Sequence, residues 1–208
     1  MRTRLICSAA AAVAALAAGT AGTAAAAPST YFCTGTLASG SYNRILVPSG
    51  ATCDGTNATV FVNGDVLVGN GATFILGEEG RGLTGRIFGG VFAVGAASVQ
   101  LHYAYVRGSV FVLGGGGFFS TVEDNVITGD VVINGYSGFW LGFIRNNVGG
   151  RVVFSNNVMD DPDANEIVTN GIFGNLVCFG NSPAPQVGDS GGLPNKVGGL
   201  RLGQCASL

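Results

Sequence analysis

Gly64-Asp65-Val66-Leu67-Val68, Gly108-Ser109-Val110-Phe111-Val112, Gly129-Asp130-Val131-Val132-Ile133 and Gly150-Arg151-Val152-Val153-Phe154 repeat one pattern: a glycine, a variable residue, then three apolar residues. Gly89-Gly90-Val91-Phe92-Ala93 and Gly174-Asn175-Leu176-Val177-Cys178 fit the same frame. So do Asn43-Arg44-Ile45-Leu46-Val47 near the start and Gly198-Gly199-Leu200-Arg201-Leu202 near the end. From Gly64 onward the opening glycines lie 25, 19, 21, 21, 24 and 24 residues apart. That spacing is one turn of a β-solenoid per copy.

The columns of this alignment carry the physical argument. Val66, Val91, Val110, Val131, Val152, Leu176 and Leu200 form one, and Val68, Ala93, Val112, Ile133, Phe154, Cys178 and Leu202 another. Alternate strand residues share a face, so both columns are expected to point inward and stack. Two residues before each glycine a third apolar column, Val62, Ile87, Val106, Ile127, Val148 and Ile172, is expected to line a second face of the same core. Six residues after each glycine stand Asn70, Gly95, Gly114, Gly135, Asn156 and Gly180. Gly and Asn are the residues that tolerate positive φ, so this column marks a bend repeated in every coil.

Apolar spacing of two and abundant glycine exclude a helical reading. A seven-stranded sandwich would need hairpins and opposed strand directions, whereas these copies repeat in one direction. The expected fold is all-β, a right-handed parallel β-helix of about seven to eight coils with disulfide-tied ends. At about 4.8 Å per rung it is a rod of roughly 35 Å. Its two ends expose strand edges that need cover.

The N-terminus reads as a cleaved secretory signal peptide over residues 1–27. Arg2 and Arg4 precede an apolar, alanine-rich run, and Ala25-Ala26-Ala27 leads to Pro28. The apolar run is too short for a membrane anchor, and no transmembrane anchor is expected. The remaining organisation is an N-terminal cap over 28–42, coils over 43–181 and a C-terminal tail or cap over 182–208, where Ser182-Pro183-Ala184-Pro185 leaves the strand pattern. Without Arg2 and Arg4 the chain carries 8 basic and 12 acidic side chains and no basic block, which argues against nucleic acid. Only 11% of residues are charged, and 36 are glycine amid many Val, Ile, Leu and Phe. That composition belongs to short strands and turns rather than to disorder.

Cys33, Cys53, Cys178 and Cys205 remain after cleavage. An even count in an exported chain points to disulfides. Two cysteines lie toward each end, which favours Cys33–Cys53 and Cys178–Cys205 among the three pairings. Each loop closure is worth about 3 kcal/mol in the chain-entropy account.

The closing segments Asn175-Leu176-Val177-Cys178-Phe179-Gly180-Asn181-Ser182-Pro183-Ala184-Pro185 and Val197-Gly198-Gly199-Leu200-Arg201-Leu202-Gly203-Gln204-Cys205, with the repeat, resemble a group of small bacterial secreted proteins. That group, of unknown function, repeats Gly-Asn-Val and ends in a Pro-Ala-Pro, Val-Gly-Gly, Gly-Gln-Cys signature. The repeat alone is also similar to bactofilin-type scaffolds. The resemblance implies a β-helix and export, and no chemistry. The Phe-rich strands and uneven coils depart from both groups.

Candidate chemistry is sparse. Asp160, Asp161, Asp163 and Glu166 cluster around Pro162 in a long copy, read as a protruding, solvated loop; a Ca²⁺ site there is the sharper alternative. Glu123 and Asp124 are placed to pair with Arg145 one coil on. His102, the sole histidine, is read as an exposed imidazole on an alternating strand. Asp65 and Asp130 share a column. Gly114 to Gly117 lacks a following Lys-Ser/Thr and is read as a turn, not a phosphate loop. Asn57-Ala58-Thr59 is a glycosylation sequon without weight in a bacterial-looking chain. No catalytic residue, cofactor or metal ligand is assigned.

One feature points outward. Leu67, Phe92, Phe111, Val132, Val153 and Val177 lie between the two inward columns and are expected to form an exposed apolar stripe. Either a terminal segment covers it or it meets a partner. The expectation is a secreted, non-catalytic structural or adhesive β-helix, self-associating as a homo-oligomer or attached to the cell envelope. The alternative is a carbohydrate-active enzyme, of lyase or glycosidase type, with an acidic groove on the helix.

Overall fold

The computed structural model describes residues 29–188 and 191–208. The expected signal peptide lies outside them. The described chain contains strands and no helix. Most of the strands form three sheets, and each full coil visits them in the order A, B, C.

Sheet A has nine strands: Thr30–Phe32, Arg44–Val47, Val66–Val68, Val91–Val94, Val110–Leu113, Val131–Asn134, Val152–Ser155, Leu176–Phe179 and Arg201–Gly203. Sheet B has six: Thr52–Gly55, Thr73–Leu76, Ser98–His102, Phe119–Glu123, Trp140–Ile144 and Glu166–Val168. Sheet C has eight, from Gly40–Tyr42 to Lys196–Val197. A short pair, Ser137–Gly138 with Val158–Met159, bridges one corner. Neighbouring strands run parallel throughout, which makes the fold a parallel β-solenoid of about eight turns.

The valines pile up in register. Val66, Val91, Val110, Val131, Val152 and Leu176 are successive partners in sheet A. Each is fully buried, as is the column from Val62 to Ile172 in sheet C to within 2%. Burying such a side chain contributes about 1.5–3 kcal/mol, so these ladders dominate the stability. Sheet B completes the core with Leu76, Leu101, Val122, Phe143 and Ile167. Sequence reading drew no third face. These residues follow their opening glycines by 12, 12, 14, 14 and 17 positions, because the intervening corner varies in length.

The opening glycines answer to close approach rather than to a left-handed backbone. Gly108, Gly129, Gly150, Gly174 and Gly199 each donate an N–H to the glycine one coil earlier at 2.8–3.0 Å. A Cβ on Gly108, Gly129, Gly150 or Gly174 would stand 2.6 Å from that neighbour's carbonyl oxygen. The bend column does use left-handed backbone at Gly95, Gly114, Gly135, Asn156 and Gly180. In the coil of Asn70 the positive φ falls instead on Gly71, one residue later.

The last copy is one residue out of the expected frame. Leu176 pairs with Arg201 and Val177 with Leu202, so the frame opens at Gly199, not Gly198. Leu200 and Leu202 are accordingly 62% and 42% exposed instead of buried. Consecutive glycines permit either register. The hydrogen bonds decide it, Gly198 N–H to Ile172 O and Gly199 N–H to Gly174 O.

Two corners are pinned by buried asparagines that sequence reading missed. Between sheets B and C, Asn125, Asn146, Asn170 and Asn195 stack on successive coils, none more than 3% exposed. Each side-chain oxygen accepts the backbone N–H of the preceding coil's equivalent residue, from Ala104 through Asn170, at 2.8–3.0 Å. Each side-chain NH₂ donates to a backbone carbonyl, such as Leu101 O for Asn125 and Val122 O for Asn146. Asn157, Asn181 and Gln204 build the same ladder between sheets A and B. Buried polar groups are thereby satisfied coil by coil.

Cys33–Cys53 and Cys178–Cys205 are both bonded, with Cα atoms 5.2 Å apart in each. Residues 30–32 and 40–42 add strands below the first full coil, and 196–197 and 201–203 add strands above the last.

Candidate interaction surface

Because its inward positions alternate, sheet A turns every intervening residue outward. Leu67, Phe92, Phe111, Val132, Val153 and Val177 occupy consecutive rungs of that outer face. The ladder is longer than the sequence columns indicated. Phe32 and Leu46 extend it at one end and Leu202 at the other, so every strand of sheet A contributes one apolar side chain. Leu67 to Val177 are half-buried, since each side chain is sheltered by those above and below. Phe92 and Phe111 stack with ring centroids 5.5 Å apart and planes 8° from parallel.

A second outward column lies two residues further along the strands. There Val94 is 60% exposed, Leu113 37% and Phe179 49%. Exposure of that order means that no described segment crosses the middle of the face. Nine rungs at about 4.8 Å give a strip of roughly 40 Å. In that second column Asn134 and Ser155 separate Leu113 from Phe179, so the continuous apolar strip is a single column, about 7 Å wide or roughly 250 Å², broadened at Val94, Leu113 and Phe179.

Charge borders the strip. Asp65 and Asp130 stand one residue before their inward valines. Arg44 lies 3.9 Å from Asp65, and Arg151 lies 3.2 Å from Asp130. Asp65 Oδ1 also accepts the Gly90 N–H, and Asp130 Oδ1 the Arg151 N–H, each one coil on. These carboxylates tie coils together at the corner.

The acidic loop is not the foursome that its sequence implied. Asp160 and Asp163 are exposed, and Asp161 is half-buried. Asp161 Oδ1 accepts the Asp163 N–H at 3.0 Å. Glu166 is instead 2% exposed, opens a strand of sheet B and packs against Gly188. Among the described residues no group of three or more His, Cys, Asp or Glu side chains is arranged to hold a metal ion.

Glu123, Asp124 and Arg145 come together. The Arg145 guanidinium binds Glu123, holds Asp124 Oδ1 at 2.8 Å and reaches Glu79 at 3.0 Å. The Asp124 hydrogen bond, with the further carboxylates, secures its charge. His102 joins this cluster and is 7% exposed, contrary to the expected exposed imidazole. It sits on the rung before Glu123, with Nδ1 3.6 Å from Glu123 Oε2. Burial pushes the His102 imidazole down, against the pull of Asp124 and Glu79, and burial pushes the Glu123 carboxyl up, against Arg145. The loop 77–84 closes over the pair. Thr84 Oγ1 donates to His102 O at 2.6 Å, and Gly80 N–H donates to the Tyr103 hydroxyl.

No helix among the described residues is long and apolar enough to cross a membrane. No protein family, curated protein or solved structure matches this chain.

Proposed function

We propose that this chain is an exported, non-catalytic structural or adhesive β-helix that works through the outer face of sheet A. The carrying observation is the unbroken apolar ladder from Phe32 to Leu202, open at Val94 and Leu113. Solvated strands ordinarily place polar residues there, and nine consecutive apolar rungs on an outer face support a contact surface. The Arg44–Asp65 and Asp130–Arg151 pairs on the border offer both signs of charge to a second copy.

The carboxylates favour a structural role. Asp65 and Asp130 cap neighbouring coils, Glu123 and Asp124 serve Arg145, and Glu166 is buried in a strand. Two disulfides suit an extracellular setting. The likeness of the closing segments to small exported repeat proteins points the same way.

Sedimentation tests the reading. Phe92→Ser with Phe111→Ser should move the protein from oligomer to monomer while its circular dichroism is unchanged. A wild-type chain that sediments as a monomer at high concentration and does not bind cell-envelope preparations contradicts it.

A further inference from the structure

A different surface, at the corner between sheets A and B, gathers exposed aromatic rings beside an open recess. Phe118 and Phe139 stand on adjacent coils, with ring centroids 4.7 Å apart and planes 2° from parallel. Phe119 and Trp140 follow them on the outer face of sheet B, at 4.8 Å and 6°. Four aromatic rings thus gather on two coils, and Phe118 is 74% exposed. Such rings normally seek burial, and each stacked pair recovers only about 0.5–1.5 kcal/mol beyond its area.

Phe118 and Phe139 line an open recess together with Gly116, Gly117, Ser137, Gly138 and Asp160. The glycines have a structural cause. A Cβ on Gly116 would collide with Ser137 O, one on Gly117 with Ala97 O and one on Gly138 with Gly117 O. The consequence is a recess lined largely by peptide backbone beside two aromatic rings.

The charge in its lining chooses the occupant. Asp160 and Asp161 are held against the recess by backbone bonds, Asp160 N–H to Gly138 O and Asp161 N–H to Phe139 O. The ion pairs of the described residues engage Arg44, Arg81, Arg145, Arg151 and His102, and none reaches Asp160, Asp161 or Asp163. Asp160 at the recess, with Asp161 and Asp163 nearby in the chain and no ion pair to any of them, repels a polyuronide. It attracts a cation, and aromatic rings beside a carboxylate favour an ammonium group with apolar flanks.

We propose that this recess binds a cationic amino-sugar glycan. The C–H surface of the sugar packs on the open face of Phe118, whose other face Phe139 covers, and its ammonium group meets Asp160.

Titration calorimetry of the whole chain tests this with three probes: a glucosamine hexamer, an N-acetylglucosamine hexamer and an oligogalacturonate. Binding is expected for the glucosamine hexamer alone, weakened at least tenfold by Phe118→Ala and by Asp160→Asn. Phe118→Ala keeps the net charge, so its loss separates the recess from general attraction of a polycation to an acidic chain. Both side chains are exposed, and unchanged melting curves should accompany the loss. Phe92→Ser with Phe111→Ser should bind as wild type, which keeps this outcome distinct from that of the sheet A face. Absence of glucosamine binding, equal binding of the acetylated or uronate probe, or indifference to Phe118→Ala overturns the proposal.

Discussion

At the scale of single residues, His102 shows how burial changes a side chain's chemistry. Its imidazole is 7% exposed beneath loop 77–84, with Glu123, Asp124, Glu79, Glu78 and Arg145 around it. Its affinity for a proton lies below the ordinary value of 6.5, chiefly through burial. The unfolded chain therefore takes up the proton first. Nothing is lost above pH 6.5, and stability falls as the pH drops below it until the folded imidazole is charged too. Glu123 acts oppositely: its raised value means that protonation favours the fold as the pH falls toward 4.5. Between pH 7.5 and 5.5 the wild-type melting temperature should fall relative to that of His102→Gln, which lacks the buried imidazole. Parallel curves for the two proteins would assign the acid sensitivity elsewhere.

The opening glycines belong to the same scale. Their column was visible as a spacing, but its cause was not. A bend would have been satisfied by asparagine, whereas a 2.6 Å approach to the preceding coil's carbonyl leaves no room for a Cβ.

At the scale of the element, the corners are set by ladders rather than by turns alone. Asn146 accepts from the Asn125 backbone and side chain, and donates to Val122 O and Asn170 Oδ1. Asn146→Ala would strand the Asn125 N–H and the Val122 carbonyl in the interior. Each unmet buried group costs about 1–3 kcal/mol, so the loss should be about 2–6 kcal/mol in urea unfolding. Asn147, its neighbour, is exposed, and Asn147→Ala should cost under about 0.5 kcal/mol. Equal losses would mean that the ladder is not what holds the corner. The residues that enter this corner, Tyr103, Asp124, Arg145 and Thr169, all have φ between 52° and 59°. None is glycine, so the strained backbone is maintained by the asparagine that follows or, in the first case, by Asn125 from the next coil.

At the scale of the whole molecule, a solenoid couples each coil mainly to its neighbours, so its weak points are its ends. The disulfides sit there and close spans of 20 and 27 residues. Cys33→Ser with Cys53→Ser should cost about 3 kcal/mol. The added hydrogen exchange should be confined to the first coils, while the strands Val110–Leu113 and Val131–Asn134 keep their protection. A uniform rise along the rod would show that the chain unfolds as one unit and that the end staple is not local.

The repeat made the fold class, the core columns of sheets A and C and the disulfide pairing legible from sequence, because stacking like on like imposes a period on the chain and period is a property of sequence. Sheet B was hidden by corners of uneven length, and the last copy by two glycines that fit either register. The outward stripe was readable from alternation alone. That it runs through Phe32, Leu46 and Leu202 and lies open depended on which strands became neighbours. The asparagine ladders, the burial of His102 and the recess beside Phe118 were likewise decided only in three dimensions. Each joins residues about one coil apart whose meeting depends on register, and register is fixed by packing and hydrogen bonds rather than by the order of residues along the chain.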